Sequence, residues 1–277
     1  GHPADALPCV ATRGGRSMAD EDPVLLEVKG GVAVISLNRP DKHNVVDDAA
    51  DALFFRYLDL LRSDRDVRAV VWRGTGPSFS SGRNLTEMSD HPGSTDLEWI
   101  ERNQWQTRVL YDFPVPIICA LKGWTLGVQL ERALLCDLRV AGESAKLALS
   151  AVDHGVIPDS AGVAKLVEVG GAALALDLAI TGRRIGAAEA LSLGLVSRVV
   201  PDDELDDVVL ELAEDIADRP PVVVRLIREH VQALTTGGVR STLQRELVGQ
   251  AMVLGSRDHR EHREARAEGR EPRYERR

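Results

Sequence analysis

Lys122-Gly123-Trp124-Thr125-Leu126-Gly127-Val128-Gln129-Leu130-Glu131-Arg132-Ala133-Leu134-Leu135-Cys136-Asp137 is the stretch that decides how this chain is read. A glycine-bearing turn opens an apolar helical pattern, and one acid, Glu131, sits one turn inside it. A helix N-terminus offers N–H groups without intrahelical acceptors and a partial positive charge. A carboxylate one turn further in can reach whatever those N–H groups bind. The pattern suits a carbonyl compound, its oxygen held by N–H donors while a carboxylate moves protons on the neighbouring carbons.

Working outward, the run Val115–Leu121 before this stretch predicts a buried strand, and Leu138–Ala141 after it predicts another. Val24–Val28 and Val32–Leu37, separated by Lys29-Gly30-Gly31, predict a hairpin. Asp47–Leu61 carries Ala50, Leu53, Phe54, Tyr57, Leu58 and Leu61 at helical spacing, and Val67–Trp72 predicts a buried strand. Ser89–Thr95 predicts a mobile loop and Leu97–Tyr111 a helix. Strand and helix therefore alternate from residue 32 to about 141, the mark of right-handed β-α-β units in an α/β fold. From Gly162 onward the chain reads as mainly helical, with helices over Ala172–Thr181, Ala187–Leu193, Asp203–Asp218 and Val222–Leu234. The expected organisation is a leader over 1–17, an α/β core over 18–215 and a helical C-terminal region over 216–277. Residues 1–17 lack periodicity and precede Met18, so they read as a disordered leader outside the native chain.

The 277 residues are 44% hydrophobic, enough for one large core with an appendage. A net charge of −9 argues against broad nucleic-acid binding. The Arg- and Glu-rich tail reads as a solvated helix, or as a segment that packs on a neighbouring subunit or an anionic ligand. No apolar run reaches the length of a membrane span. Three unpaired cysteines, Cys9, Cys119 and Cys136, suit a reducing, cytoplasmic setting. No zinc spacing is present, and His259 and His262 read as surface residues of the tail.

Two strand-to-helix junctions stand out: Ser80-Ser81-Gly82-Arg83-Asn84-Leu85 and Leu126-Gly127-Val128. Each follows the carboxyl end of a predicted parallel strand, where open α/β folds place ligands. Either pattern alone is equally compatible with tight packing.

Asn38-Arg39-Pro40 with Lys42-His43-Asn44, then Phe79-Ser80-Ser81-Gly82-x-x-Leu85-x-x-Met88, then Gly123–Asp137, resemble in order the signatures of the crotonase, or enoyl-CoA hydratase/isomerase, superfamily. Ala141-Gly142-Glu143, Gly155-Val156-Ile157-Pro158, Thr181-Gly182-Arg183, Ala187-x-x-Ala190 and Gly194-Leu195-Val196 continue the series, and Arg260-Glu261 through Pro272 also fits. The resemblance implies a spiral core of ββα turns with a helical C-terminal trimerisation region, and a homotrimer or homohexamer. It implies an acyl-CoA thioester substrate and no metal or redox cofactor, coenzyme A being part of the substrate.

Matched residue by residue, the resemblance places an oxyanion hole at the backbone N–H groups of Arg83 and Val128, positions more often Ala and Gly in the family. It sets Lys42, His43 and Val45 along the pantetheine and adenine, Ser81, Arg83, Asn84 and Leu85 along the acyl–pantetheine channel, and Gly127 among the substrate-binding residues. The Arg83 side chain is expected either to pair locally or to meet the CoA phosphates. Glu131 falls on the first catalytic glutamate; its bland alternative is an ion pair with Arg132 or Lys165. The second glutamate position falls on Ala151, whose methyl group carries no proton. Asp159 resembles the aspartate of some family isomerases, yet it also reads as the N-cap of the following helix. Asp153 is a further candidate if the segment is a strand, and His154 reads as structural. Arg266 stands where relatives often place an aromatic residue.

The expected activity is therefore an enolate-stabilising acyl-CoA isomerase or hydratase, with isomerisation favoured and Glu131 and Asp159 as the acid–base pair. Thioester hydrolysis and non-catalytic acyl-CoA binding are the alternatives.

Overall fold

The computed structural model describes residues 22–86 and 95–272. The leader and most of the Ser89–Thr95 loop expected from the sequence lie outside these residues, as does Met88.

Strands β1 (Val24–Lys29), β2 (Val32–Leu37), β3 (Ala69–Gly74), β4 (Ile117–Leu121), β6 (Leu138–Gly142) and β9 (Arg198–Val200) form one sheet, ordered β1-β2-β3-β4-β6-β9. The β1–β2 pair is antiparallel and every later pair parallel. A second sheet is ordered β5-β7-β8, from β5 (Trp124–Leu126), β7 (Lys146–Ala148) and β8 (Ile185–Gly186). The chain supplies β4 to the first sheet, β5 to the second, then helix α3 (Val128–Leu135); it repeats the pattern with β6 and β7. This is the ββα turn of the expected fold. The glycine-bearing turn expected before α3 contains a strand: Trp124–Leu126 are β5, too short for alternation to register.

Both faces of the main sheet are covered, which explains why its strands read as continuous apolar runs. Ala33, Ile35, Leu37, Val70, Trp72, Ile117, Cys119 and Leu121 face the larger core, which includes helix α1 (Asp48–Ser63). Val32, Val34, Ala69, Val71, Ile118 and Ala120 face Leu205, Val209, Ala213 and Ala217 of helix α6 (Leu205–Ala217).

Some helix starts are fixed by side-chain caps. Asp47 Oδ1 accepts the Ala50 N–H at 2.8 Å before α1. Thr95 and Glu98 form a reciprocal capping box before helix α2 (Asp96–Tyr111). Helix α4 (Gly162–Thr181) begins earlier than expected and is kinked at Gly171, whose φ of 75° and ψ of 178° are non-helical. Helix α5 (Ala187–Ser192) is short. Helix α7 (Pro221–Leu254) runs twenty residues past the predicted Leu234, and helix α8 (Arg257–Glu268) closes the described chain. Gly237-Gly238 and the mixed composition beyond hid the second half of α7 from periodicity. Among the described residues, no helix is long and apolar enough to cross a membrane.

Candidate active site

The two junctions flagged in the sequence are laced side by side. Ser80 donates its N–H to Trp124 O at 2.8 Å, and Leu126 donates to Ser80 O at 3.0 Å. Asn44 secures the first junction from below: its side-chain amide donates to Thr75 O at 2.9 Å and Ser78 O at 2.7 Å, while Ser80 Oγ donates to Asn44 O at 2.7 Å. Gly127 caps α3 with φ 55° and ψ −134°, a conformation side chains disfavour, and so turns the chain from β5 into the helix. Beyond the lacing, the N–H groups of Arg83 and Val128 have no acceptor among the described residues. Val128 is the first residue of α3, so its N–H is one of the helix's unpaired donors.

Both residues line a cavity of about 290 Å³. Glu131 and Asp159 line it too, with Val45, Ser81, Asn84, Leu85 and Gly127. Ala151 is part of the same wall.

Glu131 is 2% exposed. Its Oε2 accepts the N–H of Ser160 at 3.0 Å and of Gly162 at 3.1 Å. Burial, then the charges of Glu246 and Asp159, hold its carboxyl well above the usual range against the pull of those two N–H donors. Asp159 is half-buried. Burial raises its carboxyl as well, while the Arg83 and Arg132 cations and a hydrogen bond with Ser160 restrain the rise. Asp159 is not the N-cap of α4. That position belongs to Ala161, at φ 63°, and carboxylates from elsewhere take the N–H groups around the helix start: Glu131 those of Ser160 and Gly162, Glu246 that of Ala161 at 3.0 Å. The alternative reading of Glu131 as a partner of Arg132 or Lys165 also falls away, since Arg132 binds Asp51 and Lys165 binds Glu168.

The Arg83 side chain pairs locally, with Asp48 and, at 2.6 Å, with Asp51; its guanidinium lies 5.0 Å from the Trp99 ring centroid. Arg132 binds the same Asp51 through 2.7 and 3.1 Å bonds. Burial alone would raise the Asp51 carboxyl, but Arg132 and Arg83 together hold it below its ordinary range.

Asp153 does not join the cavity wall. Residues Ser150–His154 form a 3-10 turn rather than a strand, so Ala151 and His154, three apart, share a face, while Asp153 is exposed against Gly182. The same geometry brings His154, read as structural, into the wall. Burial, then Arg266, lowers the His154 pKa. Lys42 and His43 are exposed and outside the wall; His43 lines a separate surface cleft with Ser78, Lys122 and Trp124.

Trp99, Asn103, Gln250 and Arg266 also line the cavity, and the sequence gives Asn103 and Gln250 no role. Gln250 accepts the Ile157 N–H at 3.1 Å, one turn along α7 from Glu246, so α7 grips the 157–161 segment at two points. Extending α7 past Leu234 would have exposed this i, i+4 pair. Among the described residues, no group of three or more His, Cys, Asp or Glu is placed to hold a metal ion.

The family model for enoyl-CoA hydratase/isomerase matches residues 27–277. A probable enoyl-CoA hydratase of Bacillus subtilis is 32% identical over 253 residues, covering 91% of this chain and 98% of the relative. The 1,2-epoxyphenylacetyl-CoA isomerase of Escherichia coli is 30% identical over 242 residues, covering 86% and 92%. The crystal structure of an enoyl-CoA hydratase/isomerase from Pseudoalteromonas atlantica superposes with a TM-score of 0.83 at 28% identity, covering 91% of this chain and 100% of that one. Fold, ordered motifs and relatives agree, and this chain belongs to the enoyl-CoA hydratase/isomerase family of the crotonase superfamily.

Proposed function

We propose that the protein moves a double bond within an acyl-CoA thioester, with the N–H groups of Arg83 and Val128 holding the thioester oxygen. The observation that carries this reading is one cavity holding two acids, Glu131 and Asp159, two unengaged N–H donors, and a methyl group at Ala151. Removing a proton from a carbon conjugated with the thioester leaves negative charge on its oxygen. Fixed donors aimed at that oxygen lower the barrier because they need no reorganisation.

The two acids have different environments, which divides their roles. Burial raises the Asp159 carboxyl, but the Arg83 and Arg132 cations restrain that rise and favour Asp159 over Glu131 as the base. Glu131, buried and repelled by Glu246 and Asp159, holds its proton more tightly than a free carboxyl and returns a proton at another carbon. The roles exchange in the reverse direction. Hydration by two glutamates sharing a water lacks its second member at Ala151; the relatives include one named as an isomerase and one named as a probable hydratase, so the preference for isomerisation rests on Ala151. Each forward turnover leaves Asp159 protonated and Glu131 ionised, and proton exchange with solvent restores the starting state.

The test is incubation with 2-enoyl-, 3-enoyl- and 3,5-dienoyl-CoA in deuterated water, followed by mass and absorbance. Double-bond movement with deuterium uptake, lost in Glu131→Gln and in Asp159→Asn, is expected. Water addition without migration would replace isomerisation by hydration. Binding without exchange would leave a non-catalytic acyl-CoA binder, and release of free CoA a hydrolase.

A further inference from the structure

Three arginines line the cavity, and two of them are neutralised. Arg83 is committed to Asp48 and Asp51, and Arg132 to Asp51. The third, Arg266, comes from the last turn of α8 and has no ion pair among the described residues. Its neighbour in the wall is His154. Helix α8 is fixed over this bank: His259 Nδ1 lies 3.2 Å from Gly155 O, and the His262 ring packs against Gly155. Arg266 therefore stands beside the bank that carries Ala151, while Val45, expected along the pantetheine and adenine, and Ser81–Leu85, expected along the acyl–pantetheine channel, belong to other segments of the wall.

A methyl-ended acyl chain reaching this bank gains nothing from a guanidinium and displaces water from it. A carboxylate-ended chain gains paired, charge-assisted hydrogen bonds in the fork geometry that arginine presents. We propose that the protein selects acyl-CoA thioesters whose acyl chain ends in a carboxylate, with Arg266 receiving that group and His154 beside it. This rests on the acyl-CoA reading above and adds to it a substrate class.

The test is calorimetric binding of hexanoyl-CoA and octanoyl-CoA against their ω-carboxy counterparts, saturated thioesters that bind without reacting. The proteins are the wild type, Arg266→Met, which keeps much of the stem volume, and Arg266→Lys. Arg266 is exposed, so the wild type is expected to favour the ω-carboxy member of at least one pair by about three- to fivefold, the scale of an ion pair open to solvent. Arg266→Met should abolish that preference with the melting temperature and methyl-ended binding unchanged, and Arg266→Lys should restore part of it. Equal binding of both members by the wild type overturns the inference. So does an equal loss on both members in Arg266→Met; if that loss vanishes with the corresponding pantetheine thioesters, Arg266 serves the CoA phosphates instead. Failure of the isomerase reading shows separately, as absence of exchange with unsaturated thioesters whatever the binding preference.

Discussion

Glu131 Oε2, on α3, accepts the N–H of Gly162, the first residue of α4, at 3.1 Å. One side chain therefore lines the cavity and holds the start of a neighbouring helix. The approach is tight: a Cβ on residue 162 would stand 2.4 Å from Glu131 Cγ, so only glycine fits there without displacing the acid. Oε2 takes both backbone bonds, and Oε1 takes neither.

Glu131→Gln keeps an oxygen for the Ser160 and Gly162 N–H groups and removes the titrating proton. Exchange should fall by about 10²–10⁴-fold, the usual contribution of a positioned acid or base, with little change in melting temperature. Glu131→Ala should lose activity to the same extent and also melt lower, since it strands two buried donors at about 1–3 kcal/mol each. Paired activity and thermal-unfolding measurements separate the two roles; unimpaired exchange in Glu131→Gln would remove Glu131 from the chemistry.

Val128 offers a clean way to delete one of the two N–H groups proposed to bind the thioester oxygen. Proline fits the first position of a helix, where its missing N–H breaks no helical bond, and the preceding Gly127 tolerates the constraint. Val128→Pro should fold normally and lose about 10²–10³-fold in kcat, the cost of one oxyanion donor elsewhere. A variant of full activity would show that the Val128 N–H does not bind the thioester oxygen.

The parts of this site legible in the sequence are those fixed by local geometry. Glycine turns after apolar strands marked Gly82-Arg83 and Gly127-Val128, and helical spacing put Glu131 one turn inside α3. Ala151 was legible because the ordered motifs fix its register. Asp153 was misplaced because a two-residue offset means the same face in a strand and a different one in the 3-10 turn that forms here. Arg83's pairing with Asp48 and Asp51 joins segments more than thirty residues apart, which no local pattern encodes. Glu246 and Gln250 arrive from α7, about a hundred residues after Glu131, and their role depends on tertiary packing alone.

Ala151 gives a gain-of-function test. Ala151→Glu places a second carboxyl in the cavity with Glu131, the pair needed to activate a shared water. Hydration of a 2-enoyl-CoA, followed by loss of enoyl absorbance, should rise by at least about tenfold, and Glu131→Gln in the same background should abolish the gain. No gain, with the fold intact, would mean that position 151 does not face the reacting carbons.

Asp51 accepts from both Arg132 and Arg83 and is 2% exposed. Its carboxyl is held below the ordinary range, so its contribution to stability is present above the unfolded value of about 4 and is lost as pH falls through the lower folded value. Asp51→Asn leaves two cations without their shared anion and should cost about 3–5 kcal/mol at neutral pH. The loss should shrink in strong acid, where the wild-type carboxyl also protonates. Denaturant unfolding across pH measures both; equal stability at neutral pH would show that the Asp51 charge is not needed.

Glu246 carries the last prediction. Burial, and less strongly the charge of Asp159, push its carboxyl up to about 8 against the Ala161 N–H that it accepts. A raised folded pKa means that the folded state holds its proton more tightly than the unfolded chain. That stabilisation is complete below the unfolded value near 4.5 and is lost as pH rises through about 8. Glutamine at 246 keeps an acceptor for Ala161 and never ionises. Glu246→Gln should therefore melt like the wild type in mild acid and higher than it at pH 8 and above. It should also act on the chemistry, because the Glu246 charge is the second cause, after burial, of the raised Glu131 carboxyl. Glu246 is ionised only above about pH 8, so the part of the Glu131 limb of the kcat/KM profile that lies there should move to lower pH while the exchange reaction itself persists. A melting profile that changes without any movement of the activity limb would confine Glu246 to holding α4; an unmoved melting profile would show that its proton is not held by the fold.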